Sequence, residues 1–569
     1  MLKFKLDENR NYIKLESYEL NLEKIQLYNF FKKKSKEGEF NILVDRGIWD
    51  GMDHFMTKDD RIPIGLWKEI YSFSNISNID IDLNRITDTL NLTLNKQLFE
   101  DFAIKLFEGV KTDKGEPFYP RDYQIEGAYR AIKYKFCCQE LATSAGKTSI
   151  FYTFNSYLKH IGIIKGKDKA LLIVPNISLI NQTLLAFEQY SNGLVDWKIQ
   201  TLGGDSGEFN FSEFLESNLL ITTYQSLVNL VPQCLIKKLE DLTKKKVKKG
   251  EEEKVAREKI RLKQKIEEAK SRNILSYFKV VNIDEAHKSR GNSISVILEN
   301  CTNWEYKLGL SGTMKLNEEY SDFFKMQKNI GPLVMMLDAK FLIDNDYSPD
   351  IKIKRIFLEY NPNDSTVSEY IRIQEDKDVR KQIKDQFSDA KAFGKYMLSI
   401  EKKIIFDSQE RIQFISNFTK KLANNTLILF SDIQNEYGKQ LADAISTWNE
   451  NTFYIDGGTA SLDRDTYKNL MEKENGAIIV ASYGTFATGI DLKNVYHIIF
   501  AESTKAEITI RQAIGRGMRY LKGKHEVIIW DIIDALSGYS VKHSDERLSI
   551  YKEQKFLILA DKRIKLYTT

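Results

Sequence analysis

The chain has 569 residues, is 42% hydrophobic and 29% charged, and carries a net charge of only +4. That length exceeds what one hydrophobic core supports and predicts three or four domains. No run of about 18 apolar residues predicts a membrane span. Four cysteines with no CxxC pair, and six histidines with no ligand spacing, argue against a disulfide framework and a zinc site. The opening "MLKFKLDENRNYIKLE" has no apolar segment of the secretory kind. A reducing cytoplasm is the expected compartment.

Residues 1–100 read as short mixed segments, a small α+β domain that is a candidate for binding DNA. Within it, "GIWDGMDHFMTKDDRIPIGLWKEI" (47–70) predicts a hairpin followed by a helix. Trp49 has two possible uses there, stacking on a base or anchoring a small core. The second is the commoner use of tryptophan.

From 101 to 338 the pattern changes. "ALLIVPN" (170–176), "NLLITTYQS" (218–226), "FKVVNIDEAH" (278–287) and "YKLGLSGT" (306–313) are apolar runs that end in small, polar or acidic residues. A second series fills 339–545, including "TLILFSD" (426–432), "NTFYIDGG" (451–458), "GAIIVASYG" (476–484), "VYHIIFAES" (495–503) and "EVIIWDIID" (526–534). Near-continuous Val/Ile/Leu runs alternating with amphipathic helices predict parallel sheets covered on both faces. Two such α/β domains are expected, joined near "GPLVMMLDAKFLIDNDYSPD" (331–350), with residues 546–569 as a tail. Ligands of such sheets bind beyond the carboxyl ends of the strands, where the polar residues fall.

One segment stands apart. Residues 237–272 hold 15 Lys+Arg and 8 Asp+Glu, a net of +7, which leaves the rest of the chain near −3. The run is either a solvated helix or helical hairpin inserted in a surface loop, or a basic arm for a phosphate backbone.

"LATSAGKTSI" (141–150) follows a predicted strand over 136–142 and opens a helix. Strand, loop and helix are the context of a phosphate-binding loop, although Leu141 stands where the full pattern has glycine. Lys147 would neutralise the β- and γ-phosphates and the Thr148 hydroxyl would hold Mg²⁺. Backbone N–H groups at the helix start would cradle the phosphates. Asp284 and Glu285 are adjacent carboxylates at a strand end, costly without a cation. Asp284 is placed to hold Mg²⁺ and Glu285 to orient and deprotonate a water, unless the pair merely starts the next helix. In "RQAIGRGMR" (511–519), Gln512, Arg516 and Arg519 share a face if the stretch is helical. That face suits arginine fingers, or a solvated surface.

As a set these strings resemble the motifs of superfamily 2 helicases, over roughly residues 115–535. "SAGKT" looks like motif I, "DEAH" like motif II, "SGT" (311–313) like motif III and "QAIGRGMR" like motif VI. "PRDYQ" (120–124) resembles the adenine-reading element, "VPNISLINQ" (174–182) motif Ia, "TTYQSL" (222–227) the motif between Ib and II, and "ASYGTFATGIDLKN" (481–494) motif V. "GIWDGMDHFMTKDDRIPIGL", "TSAGK" and "VASYGTFATGIDLKN" are further similar to the UvsW-type helicases of T-even bacteriophages. The 237–272 insertion departs from that pattern.

The resemblance implies two RecA-like domains, ATP as the fuel and Mg²⁺ as its metal. The nucleotide would meet Gln124, Thr143, Ser144, Ala145, Gly146, Lys147, Thr148, Gly489 and Asp491. His287, Ser311 and Thr313 would couple hydrolysis to movement. Pro175, Asn176, Thr223, Ser226 and Thr488 would touch DNA, although residues of these types also cap loops. Expected substrates are single-stranded and branched DNA, including D-loops, R-loops with their RNA–DNA hybrids, Holliday junctions and stalled forks. Phage or host recombination and replication proteins are the expected partners. Other readings are an RNA helicase or a restriction-system motor on the same core, and an annealing clamp that binds ATP without turnover.

Overall fold

The structure, a computed structural model, describes residues 1–7, 11–18, 21–83, 86, 94–112, 115–203, 209–244, 251–314, 321–431, 436–487, 492–502, 507–536 and 538–567. These form two compact units. One holds Met1–Leu141 and Ala145–Leu337, the other Ala142–Ser144 and Asp338–Thr569.

The first unit begins with a small mixed sheet. Strands β1 (Leu2–Leu6), β2 (Tyr12–Ser17), β5 (Arg61–Pro63) and β6 (Ile81–Asp82) lie in the order β5-β2-β1-β6. Alternation sets the faces: Leu2, Phe4, Ile13 and Leu15 point into a core shared with Ile70 and Phe73, and Lys3, Lys5 and Lys14 point out. The expected hairpin in 47–70 does not form. β4 (Met52–His54) instead pairs antiparallel with β3 (Lys32–Lys34), and β5 pairs with β2. The turn of Thr57–Arg61 thus joins strands of two different sheets. The helix does follow, at Trp67–Ser77, and stops where Asn78 turns left-handed at φ 56°.

The main sheet of this unit is wholly parallel and has seven strands: β7 (Phe136–Leu141), β8 (Lys169–Val174), β9 (Ile199–Leu202), β10 (Leu219–Thr223), β11 (Phe278–Asp284), β12 (Tyr306–Ser311) and β13 (Leu333–Leu337). Their order is β13-β7-β12-β11-β8-β10-β9. β12 therefore separates the strand before the Gly-Lys-Thr loop from the strand that ends in Asp284. The basic segment is two helices, Pro232–Lys244 and Glu252–Arg272, joined by a core of Leu235, Leu262, Ile266 and Ala269. Lys254, Arg257, Arg261 and Lys263 are left exposed.

The second unit is built on another parallel sheet. Its strands are β14 (Asp350–Glu359), β15 (Thr426–Phe430), β16 (Thr452–Ile455), β17 (Ile478–Ser482), β18 (His497–Phe500), β19 (Glu526–Asp534), β20 (Leu557–Ile558) and β21 (Lys562–Lys565). They run in the order β16-β17-β15-β18-β19-β14-β20, with β21 also on β14. The end of the chain thus contributes edge strands rather than hanging free. Between β14 and β15 come the helices Ser365–Glu375, Lys377–Lys384 and Ala390–Asp407, followed by Gln409–Thr419, and the first three share one kind of start. Each starts at an aspartate (Asp364, Asp376, Asp389) whose carboxylate accepts from backbone N–H groups of the first turn. Among the described residues no helix is long and apolar enough to cross a membrane.

Candidate active site

The loop after β7 owes its shape to two left-handed residues, Ser144 and Gly146, both at φ 74°. Such alternation turns successive backbone N–H groups to one side and makes an anion-binding concavity. The helix Lys147–His160 opens from it. Gly146 has a second reason to lack a side chain. A Cβ there would lie 2.2 Å from Gln124 Nε2. Gln124 donates to the Ala145 carbonyl at 2.9 Å, and Tyr123 Oη donates to the same oxygen at 3.0 Å. Gln124 Oε1 in turn accepts from Arg121 N–H at 2.9 Å. The "PRDYQ" element therefore holds the loop in place.

Facing the loop are the carboxylates that end β11. Lys147 Nζ lies 3.1 Å from Glu285 Oε1 and 3.7 Å from Asp284 Oδ1. The other Glu285 oxygen accepts from Ser311 Oγ at 3.1 Å and lies 3.2 Å from His287 Nδ1, which also meets Ser311 Oγ at 2.8 Å. Ser311 Oγ accepts from Thr313 N–H at 3.2 Å. A continuous polar chain thus runs from Lys147 to Thr313 across the ends of β11 and β12. Neither carboxylate caps a helix. Asp284 Oδ1 accepts from Glu285 N–H at 3.0 Å, and Glu285 holds a left-handed backbone at φ 53° before a short 3₁₀ turn. Such backbone costs about 1–3 kcal/mol and clusters at functional sites.

The two carboxyls are pushed apart. Burial, added to the charge of Glu285, raises Asp284 above the usual aspartate range against the pull of Lys147. Burial also works against ionisation of Glu285, but Lys147 and His287 outweigh it and hold that carboxyl low. Glu285 is therefore ionised at neutral pH.

Both halves of the chain match known families. The family described as "Type III restriction enzyme, res subunit" matches residues 117–316, and the helicase conserved C-terminal domain matches 410–521. The ATP-dependent DNA helicase uvsW of Enterobacteria phage T4 is 24% identical over 556 residues, 93% of this chain and 94% of that one. The chain is a superfamily 2 helicase. The helicase is also 22% identical to the probable helicase D10 of Escherichia phage T5, over 49% of this chain and 54% of that one. Among solved structures, that of T4 UvsW aligns over 100% of both chains at 22% identity and a TM-score of 0.44. The type ISP restriction-modification enzyme LlaBIII aligns over 80% of this chain and 32% of its own, at 14% identity and a TM-score of 0.50.

The helicase places the remaining residues as follows. Thr143 and Ser144 lie in the loop after β7, and Thr148 is half-buried in the first turn of the helix after it. Asn176 follows Pro175 at the end of β8 and caps the helix Ile177–Tyr190, accepting from Leu179 N–H at 3.0 Å. Thr223 ends β10, and its hydroxyl accepts from Ser226 N–H at 3.2 Å. In the second unit, Gln512 and Arg516 lie one turn apart on the helix Glu507–Gly517. Arg519 is not on that helix. The helix ends at Gly517, and Arg519 N–H bonds back to Arg516 in a closing turn. Thr488, Gly489 and Asp491 lie outside the described residues. Trp49 is not a core anchor: it is half-exposed, with Nε1 donating to the Met52 carbonyl at 3.1 Å.

Residue type and spacing alone did not point to a buried amide pair behind the site. Asn282 Nδ2, inside β11, donates to Asn155 Oδ1 at 2.9 Å and to the Leu171 carbonyl at 3.1 Å. It ties the helix that starts at Lys147 to the strand that ends at Asp284. The available signal was an asparagine inside the apolar run "VVNID".

Proposed function

We propose that the helicase is an ATP-driven DNA translocase that remodels branched DNA (D-loops, R-loops, Holliday junctions and stalled forks) in the cytoplasm of a bacterial host. The observation that carries the catalytic part is the contact of Lys147 with Glu285 and Asp284 at the carboxyl edge of a parallel sheet. The choice of DNA is supported by kinship along nearly the whole chain with a phage DNA helicase.

In this reading Lys147 leaves the carboxylates for the β- and γ-phosphates when ATP arrives. Glu285 then loses the cation that holds its proton affinity down. It becomes a better base for the attacking water while staying oriented by Ser311 and His287. Gln512, Arg516 and Arg519 are assigned to the γ-phosphate charge that builds in the transition state. Gln124 and the left-handed loop position the nucleotide. Among the described residues no three His, Cys, Asp or Glu side chains gather into a protein-only metal site. Mg²⁺ held partly by phosphates needs only one or two carboxylates, and the hard oxygens of Thr148 and Asp284 suit it. When bound there it would neutralise charge on the phosphate oxygens. Asn176, Thr223, Ser226 and Thr488 are assigned to phosphates of the tracked strand, which carry no sequence information.

The test is ATP hydrolysis and unwinding measured on forked DNA, Holliday junctions, R-loops and RNA duplexes. Stimulation by DNA, with junctions preferred over linear duplex, is expected. Stimulation by RNA alone would make the chain an RNA helicase. Translocation on linear duplex without junction unwinding would favour a restriction-type motor.

A further inference from the structure

The segments that leave the carboxyl ends of the adjacent strands β14 and β19 enclose a cavity of about 400 Å³ in the second unit. That volume lies in the range of small-molecule sites. The cavity belongs to none of the motifs above. Its rim carries Arg380, Lys384 and Lys542, and among the described residues no carboxylate lines it. All three cations are exposed, and neither Lys384 nor Lys542 has an ion-pair partner among the described residues. Its floor is Phe393 and Met397, both buried.

The walls are fixed by polar contacts that occupy the buried carboxylate of Glu401. Buried Glu401 accepts from Tyr370 Oη at 2.6 Å, from Tyr539 N–H at 2.8 Å and from Ser540 N–H at 2.8 Å. Tyr539 Oη donates to the Gly394 carbonyl at 3.0 Å. Arg380 is held over the Phe393 ring at 5.5 Å and donates to Gln374 Oε1 at 2.8 Å. Gly538 is obliged to be small, since a Cβ there would lie 2.0 Å from Tyr370 Oη. The result is a preformed hollow with an apolar, aromatic floor and a cationic rim, at the sheet edge where α/β folds bind ligands.

We propose that this cavity takes one unpaired nucleotide of a nucleic-acid strand, with its base against Phe393, Met397 and Tyr539 and its phosphates on Arg380, Lys384 and Lys542. A base stacked in a duplex cannot enter, whereas unwinding supplies unpaired nucleotides continuously. Such a ligand has the same two sides as the cavity, one planar and apolar and one anionic. Recognition by stacking and phosphate charge is indifferent to sequence, as a motor requires. The inference rests on the helicase assignment and not on the choice of DNA over RNA.

The test uses the full chain and a labelled oligothymidylate, with affinity followed by fluorescence anisotropy across a salt series. Replacing the three exposed cations (R380Q, K384Q and K542Q together) should weaken binding. It should also flatten the plot of log affinity against log salt by about 2, since single strands release roughly 0.7 counterion per neutralised phosphate. Phe393→Ala should weaken oligothymidylate binding roughly tenfold and leave an abasic oligomer unaffected. Parent-like affinity and salt slope in the triple variant would overturn the site, whichever nucleic acid the motor prefers. The cavity would instead be a protein-docking site if an acidic peptide with an apolar C-terminal residue lost binding in that variant while oligothymidylate did not.

Discussion

In the first unit Lys147 meets Asp284 and Glu285 with side chains 16%, 18% and 15% exposed. In the second, Arg411 meets Asp534 and Arg547 meets Asp531 with no exposure at all. The second pairs are saturated. Arg411 donates to both Asp534 oxygens, at 2.6 and 3.0 Å, and to the Ala501 carbonyl at 2.6 Å, while Tyr360 Oη donates to Asp534 at 2.7 Å. Arg547 grips Asp531 through two bonds, joined by Tyr551 Oη at 3.0 Å. Bidentate, fully paired charges of this kind hold a fold together and have nothing left to offer a ligand. In the first group Lys147 serves both carboxylates and the side chains keep some exposure, so an incoming phosphate and metal can re-pair it. Saturation, more than charge content, separates a structural ion pair from a reactive one.

The largest effect should come from touching the reactive group. Glu285→Gln keeps the shape and removes the base, so turnover should fall by about 10²–10⁴ while ATP binding persists. Single-turnover hydrolysis alongside calorimetric titration with ATP measures both, and turnover within a few-fold of the parent would remove Glu285 from the chemistry. Next is Asp534→Ala in the saturated group, expected to cost about 3–5 kcal/mol of stability because it strands a buried guanidinium. Denaturant unfolding reads this directly. Replacing both Arg411 and Asp534 by apolar residues of similar volume should recover most of the loss. If the single and double variants lose equally, the pair is not the isolated structural unit described here.

Asn282→Ala lies between the two cases, a neutral pair that is structural yet sits behind the site. It should cost about 1–3 kcal/mol, because Asn155 is left buried without its partner. In a double-mutant cycle, Asn155→Ala combined with Asn282→Ala should cost less than the two singles added. Additive losses would mean that the two amides do not act together.

What could be read from sequence follows the same division. β8, β10, β11, β15 and β17 were legible because strands buried on both faces are unbroken Ile/Val/Leu runs. β14 was not, although it spans Asp350–Glu359. Its "DIKIKRIFLE" alternates, burying Ile351, Ile353, Ile356 and Leu358 while charged residues face outward. Its flanks are completed by β19 and by β20 and β21 from the end of the chain, and no local window contains those partners. Lys147, Asp284 and Glu285 could be picked out because their chemistry is written in short strings. Tyr123, Asn155 and Asn282 could not, since each acquires its role from a residue far away in sequence. Arg519 shows the limit of periodicity: spacing put it on a helix that had already ended.

The smallest effect concerns a buried cation that has no carboxylate gripping it as Asp531 grips Arg547. Lys307 in β12 is 6% exposed, lies 4.1 Å from the centre of the Trp304 ring and donates to the Asn329 carbonyl at 3.3 Å. Burial pulls its ammonium from 10.5 down to about 8. The depressed pKa belongs to a base, so between those two values the folded state binds fewer protons than the unfolded chain, and stability rises with pH across that window. Below about 8 the protein carries the charged form into its core, offset by the ring, the carbonyl and the more distant charge of Glu299. Lys307→Met should therefore stabilise the protein by about 1 kcal/mol at neutral pH, with the gain over the parent shrinking as pH climbs through the window. Arg547, whose partner raises its pKa instead, should show the opposite sign: Arg547→Met destabilises at neutral and alkaline pH alike, because Asp531 loses its counter-charge. Unfolding curves of both variants at several pH values decide the matter, and a Lys307→Met variant that is less stable than the parent at neutral pH would show that ring and carbonyl outweigh the cost of burial.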